Sequence, residues 1–120
     1  MNVILAFNLF IIKHTLADYF LQYGWMIKDK GTYGAKGGIA HSAVHGVFTL
    51  LVLMILDVPL LYSVVLSAFD AVLHYHIDYV KSNFWKEKKL TAVDQMYWIA
   101  HGTDQFLHLM TYMVIIALCV

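Results

Sequence analysis

The sequence predicts an all-α protein, an integral membrane four-helix bundle, and three observations carry that prediction. Of 120 residues, 61% are hydrophobic and only 13% charged, whereas an ordinary soluble domain is about half apolar and a quarter charged. Mean hydropathy is correspondingly high, at +0.67. The apolar residues fall into four long segments, each suited to a helix that crosses a bilayer, which needs roughly 20 residues. No strand-like alternation and no internal repeat interrupts them. A compact soluble helical bundle is the competing reading. It fails on "VFTLLVLMILDVPLLYSVVLSAF", Val47 to Phe69, where a single charge interrupts a run too apolar for a soluble surface.

The chain reads as one domain, residues 1–120, with spans over approximately 2–26, 39–56, 60–84 and 92–120. The first begins "MNVILAFNLFII" and continues into "KHTLADYFLQ" with no glycine, proline or turn residue between them. No basic region precedes it and no small-residue cleavage site follows, so it is expected to stay as a helix and not to be a signal peptide. "KDKGTYGAKGG" is the first polar connection. After the second span, "LDVP" makes a tight turn, with Asp57 the expected N-cap ahead of Pro59. "KSNFWKEKKLT" is the second polar connection, and Thr91 with Asp94 forms a helix-start pattern before the last span.

Lysine placement sets the expected topology. Lys28, Lys30 and Lys36 lie in the first polar connection, and Lys81, Lys86, Lys88 and Lys89 in or beside the second. With four spans these connections share a side, which the positive-inside rule places in the cytoplasm. Both termini and the Asp57 turn then face outward, and Trp25, Trp85 and Trp98 sit near the cytoplasmic interface as a partial aromatic belt. Formal net charge is zero and all eight basic residues are lysine. Arginine is the usual reader of bases and bidentate phosphate, so no nucleic-acid partner is expected; membrane lipids are. Cys119, the one cysteine, reads as an inert apolar residue near a helix end.

Histidine and aspartate repeat a spacing of four. His14 and Asp18 show it on the first span, His41 and His45 on the second, Asp70, His74 and Asp78 on the third, and Asp104 and His108 on the fourth, with His101 three residues before Asp104. Residues four apart on a helix share a face, so each pair can present two ligands to one point. Imidazole nitrogen and carboxylate oxygen bind zinc, iron and manganese. Depth gives a second test. At a rise of 1.5 Å per residue, Asp18 and His14 lie about 10 and 16 Å from the cytoplasmic end, His41 and His45 about 5 and 10 Å, and Asp78 and His74 about 9 and 15 Å. If the fourth span starts near Trp98, His101, Asp104 and His108 fall at about 5, 9 and 15 Å. The polar residues converge in one layer.

Ionisable groups in spans are costly and face a bundle interior or a watery cavity. A shared divalent metal, zinc first and iron or manganese as alternatives, would offset that cost, with His14, Asp18, His41, His45, His74, Asp78, Asp104 and His108 as ligands. A network of His–Asp hydrogen bonds that only glues helices together is the bland alternative. Asp18, Asp78 and Asp104 are the candidate catalytic groups, one of them bridging or acting as base. Lys13, Gln22, Asp70, Lys81, His101 and Gln105 are expected around the ligands or on a substrate. Asp70 has Lys13, Ser63 and Ser67 as candidate partners. His76 points away from His74 and Asp78 and is expected at the interface.

"KHTLADYFLQ", "HSAVHG", "HYHIDYVKS" and "DQFLHLMTY" together resemble the small multi-pass membrane proteins grouped as domain of unknown function 3307, found in bacteria and their phages. The resemblance covers nearly the whole chain and rests on His14, Asp18, Gln22, His41, His45, His74, Asp78, Lys81, Asp104, Gln105 and His108. It implies a bacterial cytoplasmic (inner) membrane location and supports the site without assigning its chemistry. The pattern is also loosely similar to inner-membrane proteins described as metal-dependent hydrolases.

The leading expectation is therefore an integral-membrane, metal-dependent hydrolase acting on a lipid or another membrane-accessible substrate. A divalent-metal or proton transporter, or a metal sensor, is the second reading. Beyond the layer, however, only Asn8, Thr49, Ser63, Ser67 and Thr111 offer a polar path. A non-catalytic accessory protein acting through a partner is the third, and a homo-oligomer is compatible with all of them. Bis-histidine haem binding fits the abundant aspartates poorly. No G-x-S-x-G nucleophile motif occurs, and with Glu87 the one glutamate the composition argues against a ferritin-like di-iron carboxylate bundle.

Overall fold

Four helices are long and apolar enough to cross a membrane, and they form an all-α bundle. A computed structural model describes residues 1–120. In order, the elements are α1 (Val3–Thr15), a π-helical turn (Leu16–Phe20), α2 (Gly24–Asp29), α3 (Lys36–Ile55), α4 (Leu60–Lys88) and α5 (Gln95–Cys119). The longest dimension is 44 Å, which matches a bilayer of about 40–45 Å including its headgroup regions.

The first apolar segment is not one continuous helix to residue 26. Asn2 caps α1 by accepting the Leu5 N–H at 3.0 Å. The helix widens at Leu16, where the Leu21 N–H reaches the Leu16 carbonyl at 2.9 Å, and ends near Leu21. The Gln22 side-chain amide then donates to the Asp18 carbonyl at 2.8 Å, satisfying an acceptor that the helix end would otherwise orphan.

The Asp57 turn works differently from its expected role as an N-cap. Asp57 takes φ 57°, its N–H reaches the Met54 carbonyl at 3.1 Å, and the Val58 N–H reaches Leu53 at 3.0 Å. Those two bonds are the C-terminal stop of α3, with Asp57 in the left-handed position that short polar residues tolerate. Pro59 is the residue that precedes α4. Before α5, the Asp94 carboxylate accepts the Thr91 N–H at 2.8 Å, so this pair does mark the helix start.

The bundle is inside out relative to a soluble protein. Leu61, Ile4 and Ile55 are among many large apolar residues on the surface, while buried polar and charged side chains outnumber buried apolar ones. An apolar core occupies the end that carries both termini and the Asp57 turn, where Phe10, Leu53, Leu66, Ile115 and Ile116 meet. Phe10 stacks on Tyr112 with ring centroids 5.1 Å apart. The polar layer lies beyond it, toward the lysine-rich connections.

α3 sits at the centre of the bundle, and small residues let its neighbours approach closely. A Cβ at Gly46 would come 3.1 Å from the Ala71 Cβ and 3.3 Å from the Ser67 carbonyl oxygen. A Cβ at Gly37 would meet the Trp25 carbonyl oxygen at 2.5 Å and the Asp29 side chain at 2.8 Å. The connection from α2 also folds back on α4, where Gly34 N–H donates to the Tyr75 hydroxyl at 2.6 Å and Tyr33 pairs with exposed His76 at 2.9 Å.

Gly37→Ala is predicted to push α2 off α3 and lower stability by about 1–3 kcal/mol. Gly102→Ala, where nothing lies within 4 Å of an added Cβ, should leave stability unchanged or higher. Thermal unfolding of both variants in the same detergent checks the contrast.

Candidate metal centre

The site is built outward from Asp18. The π-helical turn carries its carboxylate toward α3 and α4, where Oδ1 lies 2.8 Å from His45 Nε2, 3.1 Å from His41 Nε2 and 3.9 Å from His74 Nε2. Its other oxygen lies 3.1 Å from His14 Nε2. No lysine ammonium comes within ion-pair distance of this carboxylate, so imidazoles surround it alone.

A second group adjoins the first through His74. Asp78 Oδ1 lies 3.1 Å from His108 Nε2, and Asp78 Oδ2 lies 3.3 Å from His74 and 3.5 Å from His41. The Nε2 atoms of His41 and His74 face each other at 3.2 Å. The rings themselves are layered: His74 stacks between His45 and His108, with centroids 3.5 and 4.0 Å away.

These groups could hold a metal ion. Asp18, His41, His45 and His74 can each offer one ligand atom within 4.8 Å of the others, as can His74, Asp78 and His108. A tetrahedral ion with bonds of about 2.0–2.1 Å separates its ligands by about 3.3 Å. The separations of Asp18 Oδ1 from the three imidazoles, 2.8 to 3.9 Å, bracket that spacing. Asp78 Oδ2 and Asp104 Oδ1 are buried carboxylate oxygens without a well-aligned hydrogen bond, the first 2.9 Å from the Lys30 ammonium and the second 3.5 Å from His108 Nε2, so each keeps an electron pair for a cation. The donor set of imidazole and carboxylate fits zinc, iron or manganese.

Charge balance points the same way. The interior holds four carboxylates, Asp18, Asp70, Asp78 and Asp104, and three ammonium groups. Lys13 pairs with Asp70 at 2.7 Å, Lys30 with Asp78 at 2.9 Å and Lys81 with Asp104 at 3.0 Å. With every imidazole neutral, one negative charge is left, at Asp18, where the imidazoles gather. A carboxylate removed from water without compensation costs several kcal/mol or more.

The surrounding residues hold this constellation in place. The His14 Nε2–H faces two acceptors, Asp18 Oδ2 and the Gln105 side-chain oxygen at 2.8 Å, while Nδ1 lies 2.7 Å from the Tyr112 hydroxyl. Both ring nitrogens are thus engaged, and His14 lies outside the two ligand groups, orienting Asp18 instead. Asp104 also lies outside them, 3.5 Å from His108 and bonded to Lys81 and Gln105. Lys13 reaches Asp70, which also accepts from Thr49, and its ammonium lies 3.4 Å from His45 Nδ1. Ser63 and Ser67 bond elsewhere or not at all.

Two cavities border the residues around the site, though Asp18, His41, His45, His74, Asp78 and His108 line neither. One, of about 380 Å³, opens at the lysine-rich end between the π-helical turn, α2, α4 and α5, and is lined by Gln22, Lys30, Lys81 and His101 with Trp85 and Trp98 at its rim. The other, of about 390 Å³, is an apolar groove between α4 and α5 with Lys81 and Asp104 in its lining.

Lys30, Thr49 and Tyr112 were not singled out as site residues by the sequence. Thr49 and Tyr112 extend the four-residue intervals of His41–His45 and Asp104–His108, a signal that was available. Lys30 had none, since it reads like Lys28 and Lys36 beside it.

Residues 6–120 match the family described as "Protein of unknown function (DUF3307)", and the chain belongs to that family. No curated protein and no solved structure matches it.

Lys13→Met is predicted to destabilise the bundle by about 3–5 kcal/mol, because Asp70 would stay buried without its cation. Adding Asp70→Leu should recover most of that loss. Denaturant unfolding of the single and double variants in detergent measures the coupling, and additive losses would contradict it.

Proposed function

We propose that this member of the DUF3307 family is a membrane-embedded, metal-dependent hydrolase whose site lies in the cytoplasmic half of the bilayer. One observation supports the reading above the others: three imidazole Nε2 atoms converge on Asp18 Oδ1, beside a second imidazole–carboxylate group that shares His74. Asp18, His41, His45 and His74 would hold the first ion, and Asp78 with His108 would extend the site. A bound divalent ion supplies an acidified water and polarises a carbonyl or phosphoryl oxygen.

The chain's own groups then have definite roles. Asp104 Oδ1, a buried oxygen 3.5 Å from His108 Nε2, would take a proton from water, and its Oδ2 is held by Lys81 and Gln105. Gln105 and Tyr112 hold the His14 ring, which holds Asp18. Hydrolysis adds the water oxygen to the substrate centre, breaks the ester bond and sends the proton to the leaving alcohol.

Transport fits less well. Conduction needs a continuous polar path, yet the end opposite the lysines is filled by Phe10, Leu53, Leu66 and Ile115. The Lys13–Asp70–Thr49 cluster is fully enclosed beneath that core. A purely structural network fits less well too, because it has no need of two cavities at its edge.

Elemental analysis of protein purified in neutral detergent tests the proposal. About one to two divalent ions per chain are expected, lost in Asp18→Asn and His41→Ala and retained in Asp94→Asn, whose carboxylate accepts from Thr91 ahead of α5 and belongs to neither ligand group. Chelation should abolish release of product from an ester panel, and the same metal should restore it. Wild-type protein carrying no more metal than Asp18→Asn would remove the basis of the reading.

A further inference from the structure

The two cavities at the edge of the site differ in chemistry and share one residue. The mouth at the lysine-rich end is lined by Lys30 and Lys81, and aromatic side chains stand at its rim. The groove between α4 and α5 is lined mainly by apolar side chains, Val80, Phe84, Ile99 and Leu107 among them. Val80 and Ile99 are more than half exposed, so the groove opens sideways from the bundle. Lys81 lines both cavities, so they meet at its side chain. Its ammonium lies 3.0 Å from Asp104 and 4.9 Å from the Trp85 ring centroid.

Charge decides what can occupy the mouth. Lys13 and Asp70 form a closed pair, which leaves Asp18, Asp78 and Asp104 facing Lys30 and Lys81. A divalent cation among those carboxylates makes the total positive. It also competes with the Lys30 ammonium for Asp78. Lys30 then lacks full neutralisation beside Lys81 at the wall of an open cavity, a setting that favours an anion able to accept several charge-assisted hydrogen bonds. An apolar groove beginning at the same lysine favours a hydrocarbon chain attached to that anion, and at about 390 Å³ it lies within the ordinary range of ligand pockets. The tryptophans at the rim stand where such side chains meet the headgroup level of a bilayer.

We propose that the site takes a phosphate-bearing amphiphile, with the phosphate between Lys30 and Lys81 and one acyl chain in the α4–α5 groove. This substrate class rests on the metal-dependent hydrolase reading. It places the phosphate beside Asp104 and the chain along the bilayer, so substrate enters laterally without leaving the membrane. A water-soluble phosphomonoester offers the same anion without the chain, and the two sources make different demands on the groove.

Binding to wild-type protein in a neutral sugar detergent separates them, using a monoacylglycerol phosphate, the matching monoacylglycerol and inorganic phosphate as probes. The monoacylglycerol phosphate should bind at least about tenfold more tightly than either other probe, as expected for charge-assisted hydrogen bonds. Lys81→Gln should reduce its affinity toward that of the monoacylglycerol. Ala100→Trp and Val80→Trp, which fill the groove from opposite walls, should reduce it toward that of inorganic phosphate while leaving inorganic phosphate binding as in wild type. Equal binding of the phosphate-free lipid, equal binding of inorganic phosphate, or indifference to both tryptophan substitutions overturns the proposal. Metal content measured on the same preparation tests the hydrolase reading separately. Metal without lipid selectivity defeats the substrate class alone, and selectivity without metal defeats the hydrolase alone.

Discussion

The cost of holding carboxylates away from water governs this structure. Four aspartates lie inside a bundle whose outer surface is largely apolar, and each must find compensation from the chain itself. Three do so with a lysine from another element: Lys13 from α1 for Asp70, Lys30 from the end of α2 for Asp78, and Lys81 from α4 for Asp104 on α5. These pairs tie α1, the end of α2 and α5 to α4 at the depth of the polar layer. They also spend the available cations, which is why Asp18 is left to imidazoles. The candidate metal centre is thus where the lysines run out and a carboxylate depends on imidazoles, or on a cation they hold, for its compensation.

Helix geometry explains why the layer takes this form in so short a chain. One face of one helix offers two side chains, a turn apart, to any single point. A cluster of five imidazoles and three carboxylates therefore needs contributions from all four long helices, and the sequence distributes them so. Crowding is limited by glycine and alanine on the central α3–α4 contact, where Gly46 faces Ala71. Larger residues there would separate His45 from His74, whose rings stack at 3.5 Å.

Much of this was legible in the residues, because the fold and the ladder both follow from periodicity. Long apolar segments define the helices, and the interval of four defines their polar faces. The same logic would have added Thr49 and Tyr112, which lie one step along two of the ladders. What periodicity does not carry is a change of period. Nothing in "LADYF" marks a π-helical turn, since its residues suit an α-helix equally well. That turn, not the regular helix, carries Asp18. Nor could local pattern identify Lys30, whose role depends on α2 folding back against α3 at Gly37. The Asp57 turn shows a third kind of limit: the same residue suits a helix start and a left-handed helix stop, and the carbonyls left by α3 decided the matter.

The asymmetry of the bundle connects these features to chemistry. At one end, Phe10 and Tyr112 stack over the Lys13–Asp70 pair, and the Lys13 ammonium lies 4.4 Å from the Tyr112 ring centroid. Aromatic faces and apolar side chains seal that side, so water and ions have no route past the buried pair. At the other end the helices diverge around α2 and leave two openings. A polar layer sealed on one side and bordered by cavities on the other suits turnover more than passage. The low-polarity floor strengthens every electrostatic interaction above it, and on the hydrolase reading substrate and product would exchange through the opposite side.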